Sequence, residues 1–295
     1  MLSKSVLTPI LSRKNTHFRD EHLVFDEPTH KYTITTDPDS KYISVTTFIH
    51  LHFPHFDPDD IISKMMKGKK WNTSHKYWGK TPQEIKDEWN RNALSVSSQG
   101  TNLHFDIECF MNQDLVDEET NEPISYTHSD LLEIYMDEMI QGIAPVNTSK
   151  EWEYFLQFVK AFPHLKPYRT EWTIYNEDIK MAGSIDMVYE NIDGSLSIYD
   201  WKRVKEINKT NSFKKYAITE CIDYLPDTNF WHYSLQLNTY KVLLESKYDK
   251  KITDLYLVKL HPENVSKTFE LIKCVDLSSD VSNLFKLRRQ QQPCA

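Results

Sequence analysis

Residues 181–202 read MAGSIDMVYENIDGSLSIYDWK, and this stretch decides the fold. Two runs rich in β-branched and aromatic residues flank Asn191-Ile192-Asp193-Gly194. Asp-Gly between such runs predicts a β-hairpin, because Gly takes a positive φ at little steric cost. The first strand carries Asp186, and the second ends in Asp200-Trp201-Lys202. Side chains alternate faces along a strand, so Asp200 and Lys202 project to one side, roughly 6–7 Å apart. The hairpin can lay Asp186 beside them, so that two carboxylates and an ammonium converge.

Close carboxylates repel, and each favours its protonated form unless a cation joins them. Oxygen ligands of this kind suit Mg²⁺ or Mn²⁺. A lysine beside such an ion can orient a water or help deprotonate it, which is the apparatus of metal-assisted phosphodiester hydrolysis. The same three residues also fit an inert hairpin whose Asp and Lys form a weak ion pair in solvent.

Working outward, the 295 residues suffice for one large domain or two small ones. With 39% hydrophobic and 13% aromatic residues, the chain can build a substantial core. Six glycines and no Walker or GxGxxG pattern argue against a nucleotide-binding loop. No apolar run is long enough for a membrane span, and the N-terminus has no signal-peptide core, so a soluble intracellular protein is expected. Cys109, Cys221, Cys274 and Cys294 are too scattered for a metal knuckle and are expected to be reduced thiols. The net charge of -8 argues against broad, non-specific nucleic-acid binding but leaves a nuclease open, since acidic metal ligands count as negative.

Along the chain, residues 1–22 read as irregular, and strands are expected over 23–25, 30–34 and 42–49. Asp57-Pro58-Asp59-Asp60 opens a helix that ends near Lys67-Gly68-Lys69-Lys70. This basic cluster abuts Trp71, Tyr77 and Trp78, a mixture that suits a nucleic-acid strand through phosphate pairing and base stacking. It equally describes a solvated helix end with its aromatics packed inward. Thr81-Pro82-Gln83-Glu84 is a capping box with Pro at the first helical position, for a helix to about residue 94. Ser97 or Ser98 is expected to cap a second helix over 100–110, with His104 and Glu108 on neighbouring positions of one face. Helices follow over 129–141 and 148–161. A β block comprises 168–175, the hairpin 180–202, 253–260 and 267–275, interrupted by a helix over 229–247 that places Gln236 and Tyr240 four apart. A last helix covers 279–289. One α/β domain with an N-terminal helical elaboration fits this order. The elaboration, with its preceding strands, is assigned to 1–95 and the core to 96–295.

Four short patterns, in order and each on the expected element, resemble those of the PD-(D/E)XK nuclease superfamily. They are Gly100-Thr101-x-x-His104, Gly183-Ser184-Ile185-Asp186, Asp200-Trp201-Lys202 and Gln236-x-x-x-Tyr240. The branch that looks most similar is that of RecB-like exonucleases and the mitochondrial genome maintenance exonuclease, with relatives in large DNA viruses and phages. Ser44-Val45-Thr46, after His30-Lys31-Tyr32, also resembles an N-terminal block of the mitochondrial branch. Ile185 stands where the superfamily's name-giving proline would be.

The resemblance implies a restriction-endonuclease-like core, with a central mixed sheet flanked by helices. It implies one or two Mg²⁺ or Mn²⁺ ions on Asp186, Asp200, the Trp201 carbonyl and His104. Lys202 would position the water, while Gln236 and Tyr240 would touch the DNA or brace the site. Glu171 and Glu108 are further helpers, each also compatible with a structural role. The cysteine spacing departs from that of the iron–sulfur relatives, so no cluster is expected. The activity implied is an exonuclease on DNA ends, favouring single strands. The alternative is a catalytically weak nucleic-acid-binding or recombination-partner module.

Overall fold

The computed structural model describes residues 9–26, 29–144 and 147–292. Cys294 lies outside these residues. The hairpin forms as its sequence requires. Strands β5 (Met181–Glu190) and β6 (Leu196–Lys202) pair antiparallel, with Met187 opposite Tyr199 and Glu190 opposite Leu196. Gly194 takes φ 78° in the turn, and its N–H bonds the Asn191 carbonyl at 3.0 Å.

These strands are the centre of a six-stranded mixed sheet. Along β5, strand β4 (Lys166–Asn176) pairs antiparallel, while the two-residue β3 (Ile43–Ser44) pairs parallel at Met181 and Ala182. Beyond β6 lie β7 (Ile252–Lys259), parallel, and β8 (Glu270–Lys273), antiparallel. A separate two-stranded ribbon joins β1 (Leu23–Asp26) to β2 (Lys31–Ile34).

Apolar residues leave both faces of this sheet, so both are covered. On one face, Leu196 and Ile198 of β6 pack with α2 (Val45–His50), α7 (Asn229–Lys247) and α8 (Ser278–Gln290). On the other, Tyr199 and Trp201 pack with the short α1 (Ile10–Lys14), α4 (Pro82–Met111), α5 (His128–Gln141) and α6 (Lys150–Ala161). Helix α3 (Pro58–Lys67) packs against α4. The architecture is α/β with a mixed sheet flanked by helices, as a restriction-endonuclease-like core requires.

Three local expectations are corrected. The strand expected over 42–49 stops after two residues and becomes α2. There Ser44 caps the helix by accepting the Thr47 N–H at 3.0 Å, and Val45, Phe48 and Ile49 are buried at helical spacing. A buried helical stripe with a cap outweighs the β preference of Val45, Thr46 and Thr47. The two helices over 81–94 and 100–110 are one 30-residue helix, α4. Ser97 and Ser98 lie inside this helix and cap nothing, because the backbone stays helical through Gly100. Residues 10–22 are not irregular: α1 buries Ile10 and Leu11, and a 3₁₀ turn over Phe18–His22 is closed by a His17–Asp20 capping box.

Candidate metal centre and active site

The β5–β6 ladder opens at one end, and the site occupies the opening. Backbone pairing of the two strands ends at Met187 and Tyr199. One residue further, the Asp186 carboxylate accepts the Trp201 N–H at 3.0 Å, replacing a ladder bond with a side-chain bond. From the opposite face of the sheet, α4 delivers His104. Its Nε2–H donates to the Trp201 carbonyl at 3.0 Å. A carbonyl can only accept, so Nε2 carries a proton, and Nδ1 is the ring nitrogen that faces the acids. Nδ1 lies 3.5 Å from Asp186 Oδ2 and 3.8 Å from Glu171 Oε1.

Glu171 comes from β4, between Thr170 and Trp172, whose partners are Met187 and Ile185 of β5, so it stands across from Asp186. Ser184 Oγ–H donates to Glu171 at 3.1 Å. Glu171 holds φ 41° inside a strand, a conformation that costs a side-chain-bearing residue on the order of 1–3 kcal/mol. His104, Glu171 and Asp186 each offer one ligand atom, and these atoms all lie within 4.8 Å of one another. An imidazole nitrogen with two carboxylate oxygens is a donor set for a divalent cation.

Asp200 and Lys202 face the α7 side, as alternation requires. Asp200 is 2% exposed, and the Lys202 ammonium lies 2.5 Å from its carboxylate. The ammonium also sits 4.6 Å from the centre of the Tyr233 ring. On α7, Gln236 donates to the Tyr240 hydroxyl at 3.3 Å. Tyr240 packs closely against Gly183: a Cβ there would be 2.8 Å from Tyr240 Cε1 and 2.9 Å from Val45 Cγ2. Glycine is thus the residue that lets α7 close on β5 beside Asp186.

Buried acids and bases offset one another in this site. Burial raises the Asp186 pKa, and the Glu171 carboxylate adds to it against the pull of His104 and Lys202. Burial raises Asp200 to about 6 despite Lys202. Burial opposes charge on His104, but Asp186 and Glu171 outweigh it and bring its pKa to about 9. Burial likewise opposes charge on Lys202, and the two aspartates overcome it and raise its pKa. Two cavities flank the site. One of about 420 Å³ is lined by Thr101, His104, Phe105, Glu108, Glu171 and Ser184. The other, of about 150 Å³, is lined by His50, Asn229, His232, Tyr233 and Gln236.

No family model matches the chain, and no curated protein matches it. Among solved structures, a chain from Eubacterium rectale named "Putative exonuclease" is similar at 12% identity and TM-score 0.30, over 60% of this chain and 66% of that one. This chain thus spans just under two thirds of that protein's length. A likeness of that size carries no argument, and the site stands on its own geometry.

The structure brings together His104, Asp186, Asp200, Trp201, Lys202, Gln236 and Tyr240, each named from sequence. Glu171, expected only as a helper, joins His104 and Asp186, while Asp200 pairs with Lys202. Glu108 lines the larger cavity one helical turn from His104. Tyr233 escaped the sequence reading. Its signal was its place one turn before Gln236 on α7, a spacing that also marks ordinary core tyrosines.

Proposed function

We propose that the chain is a divalent-metal-dependent deoxyribonuclease, acting as an exonuclease on DNA ends with a preference for single strands. The observation that best supports this reading is the meeting of His104, Glu171 and Asp186 beside the Asp200–Lys202 pair. In this reading His104, Asp186, Asp200, the Trp201 carbonyl and Glu171 hold one or two Mg²⁺ or Mn²⁺ ions. Such an ion supplies a Lewis acid for the phosphate and lowers the pKa of water. The chain's residues do the rest. Ser184 and Trp201 hold the Glu171 and Asp186 carboxylates by hydrogen bonds. Lys202, steadied by Asp200 and the Tyr233 ring, places a positive charge at the scissile phosphate and orders the attacking water. Gln236 offers its amide to the DNA backbone, and Tyr240 braces α7 against Gly183.

Single-strand preference draws on the elaboration. Lys67, Lys69 and Lys70 make no ion pair among the described residues, and Trp78 is 46% exposed with its ring 5.8 Å from that of Trp71. The division into parts over 1–95 and 96–295 belongs to the same proposal, with α4 running unbroken across the junction. So does an intracellular location, which suits the free thiols of Cys109, Cys221 and Cys274. Among the described residues no helix is long and apolar enough to cross a membrane.

The test is cleavage of 5′- and 3′-labelled linear single-stranded DNA with Mg²⁺, Mn²⁺ or EDTA, by wild type, Asp186→Asn and Lys202→Ala. Metal-dependent cutting lost in both variants is expected, and the product ladder gives polarity. Normal cutting by Lys202→Ala overturns the mechanism, and cutting of circular single strands overturns the need for ends. A second reading, a module that binds nucleic acid without turnover, draws on the pairing of Asp200 with Lys202. Binding that ignores EDTA, with no cleavage under any metal, would favour it.

A further inference from the structure

We propose that the loop over residues 203–216, which leaves β6 directly from Lys202, is a second contact for single-stranded nucleic acid, stacking a base on Phe213 and pairing phosphates with Lys214 and Lys215. In a chain of net charge -8, this segment carries Arg203, Lys205, Lys209, Lys214 and Lys215 against the single acid Glu206. Arg203 is spent on Glu151 at 2.6 Å and Lys205 on Glu263 at 2.6 Å. Lys209 lies 4.5 Å from the centre of the Phe230 ring. Lys214 and Lys215 have no ion-pair partner among the described residues. Between these cations the loop presents Phe213 at 81% exposure and Tyr216 at 46%. Cations interleaved with exposed rings are what a single strand needs: charge along its backbone and flat faces for its unpaired bases.

The loop is held in place. The Asn208 N–H bonds Asn229 Oδ1 at 2.9 Å, and Asn229 Nδ2 donates to the Glu206 carbonyl at 2.7 Å. Trp231 Nε1–H donates to the Lys209 carbonyl at 2.9 Å. Asn211 closes the tip, donating to the Lys215 carbonyl at 2.9 Å and accepting the Lys215 N–H at 3.0 Å. Ile207 packs onto the core. A stacking surface positioned this way is paid for in advance by the fold and loses little entropy on binding. Its base is continuous with the site. Asn229, which anchors the loop, lines the 150 Å³ cavity together with Gln236 and Tyr233, and Tyr233 underlies the Lys202 ammonium. In this proposal a strand whose phosphate lies at Lys202 runs past this cavity toward the loop. Duplex DNA, with its bases stacked on each other, offers Phe213 no free face.

The inference rests on the nuclease reading for the placement of the strand, but its test does not need cleavage. Anisotropy of a labelled oligothymidylate and of a duplex is measured in EDTA with the full chain as wild type, Phe213→Ala, Phe213→Trp and Lys214→Gln/Lys215→Gln. Phe213→Ala is expected to bind the single strand about tenfold more weakly, Phe213→Trp to restore affinity, and neither to change duplex binding. The double lysine variant should lower the salt slope of single-strand binding by about 1.4, two phosphates' worth. Wild-type affinity in Phe213→Ala, a loss confined to the duplex, or no single-strand binding by wild type overturns the proposal. Cleavage by wild type, run in parallel with Mn²⁺, separates the two readings. Cutting with unaltered Phe213→Ala binding removes the loop contact alone. No cutting with the expected binding losses removes the nuclease reading alone.

Discussion

Lys202→Ala should unfold more easily than wild type, apart from anything it does to activity. Asp200 is 2% exposed, and the Lys202 ammonium 2.5 Å away is its counter-charge. Removing one partner of a buried pair leaves an uncompensated charge and costs about 3–5 kcal/mol. Asp200 can escape part of that cost by taking up a proton, since burial already raises its pKa to about 6 with Lys202 present. The lower end, about 3 kcal/mol, is therefore expected near neutral pH. For a chain of this size about 2 °C of Tm follows each kcal/mol, so the melt should fall by about 6 °C. Asp200→Asn/Lys202→Met removes both charges at nearly constant volume and should recover most of the loss. The assay is thermal and urea unfolding of wild type, Lys202→Ala and Asp200→Asn/Lys202→Met in metal-free buffer. A Lys202→Ala melt equal to wild type, or a double variant no better than the single, would refute the buried-pair reasoning. Mn²⁺ binding should survive in Lys202→Ala, because His104, Glu171 and Asp186 keep their own supports.

Gly183→Ala should destabilise by about 1–3 kcal/mol, because the new methyl meets Tyr240 and Val45 inside 3 Å. Combined with Tyr240→Leu, the loss should be less than additive, and strict additivity in urea unfolding would sink the account. At Glu171, with φ 41°, Gly should be about 1 kcal/mol more stable than Ala although both lack the carboxylate; Ala at or above Gly would remove the strain argument. Both should bind Mn²⁺ at least about tenfold more weakly by calorimetry. Burial pushes the fully buried His128 down to about 3, and its Nε2 lies 2.8 Å from the Tyr189 hydroxyl. Above about pH 6.5 folded and unfolded chains both hold it neutral, so its contribution is fully present. As pH falls toward 3 the unfolded chain takes a proton that the folded chain refuses, and stability falls by up to about 1.4 kcal/mol per pH unit. His128→Phe should flatten the urea midpoint between pH 6 and 4, and an unchanged slope would exclude His128 as its source.

The hairpin, the long α7 and the capped start of α4 were legible because each has a local cause. Asp193-Gly194 demands a turn, the Thr81–Glu84 box starts a helix, and 19 residues of α7 carry its apolar positions. What was not legible depends on distant packing. Val45-Thr46-Thr47 reads as strand by its side chains and becomes helix because β5 and α7 bury Val45, Phe48 and Ile49 together. The continuity of α4 through residues 91–99 has no signal either. That segment is exposed, so nothing but the absence of a breaker keeps it helical.

The site divides along the same line. Asp186, Asp200 and Lys202 could be placed from strand alternation, since period two determines which side chains share a face. Alternation cannot say which carboxylate the lysine takes. Burial decides that: Asp200 lies where a bare charge is costliest, so it holds Lys202, and Asp186, bonded to the Trp201 N–H at the open end of the ladder, is left to meet His104. Glu171 follows from the same opening. Its carboxylate reaches the pair only through a left-handed backbone in mid-strand, a conformation that no local preference of glutamate favours and that only the surrounding sheet can enforce. The residue hardest to assign from the sequence is therefore the one whose backbone carries the strain. Held there by the sheet, Glu171 meets Asp186 and His104 without local rearrangement, the fixed geometry that a preorganised cation site would need.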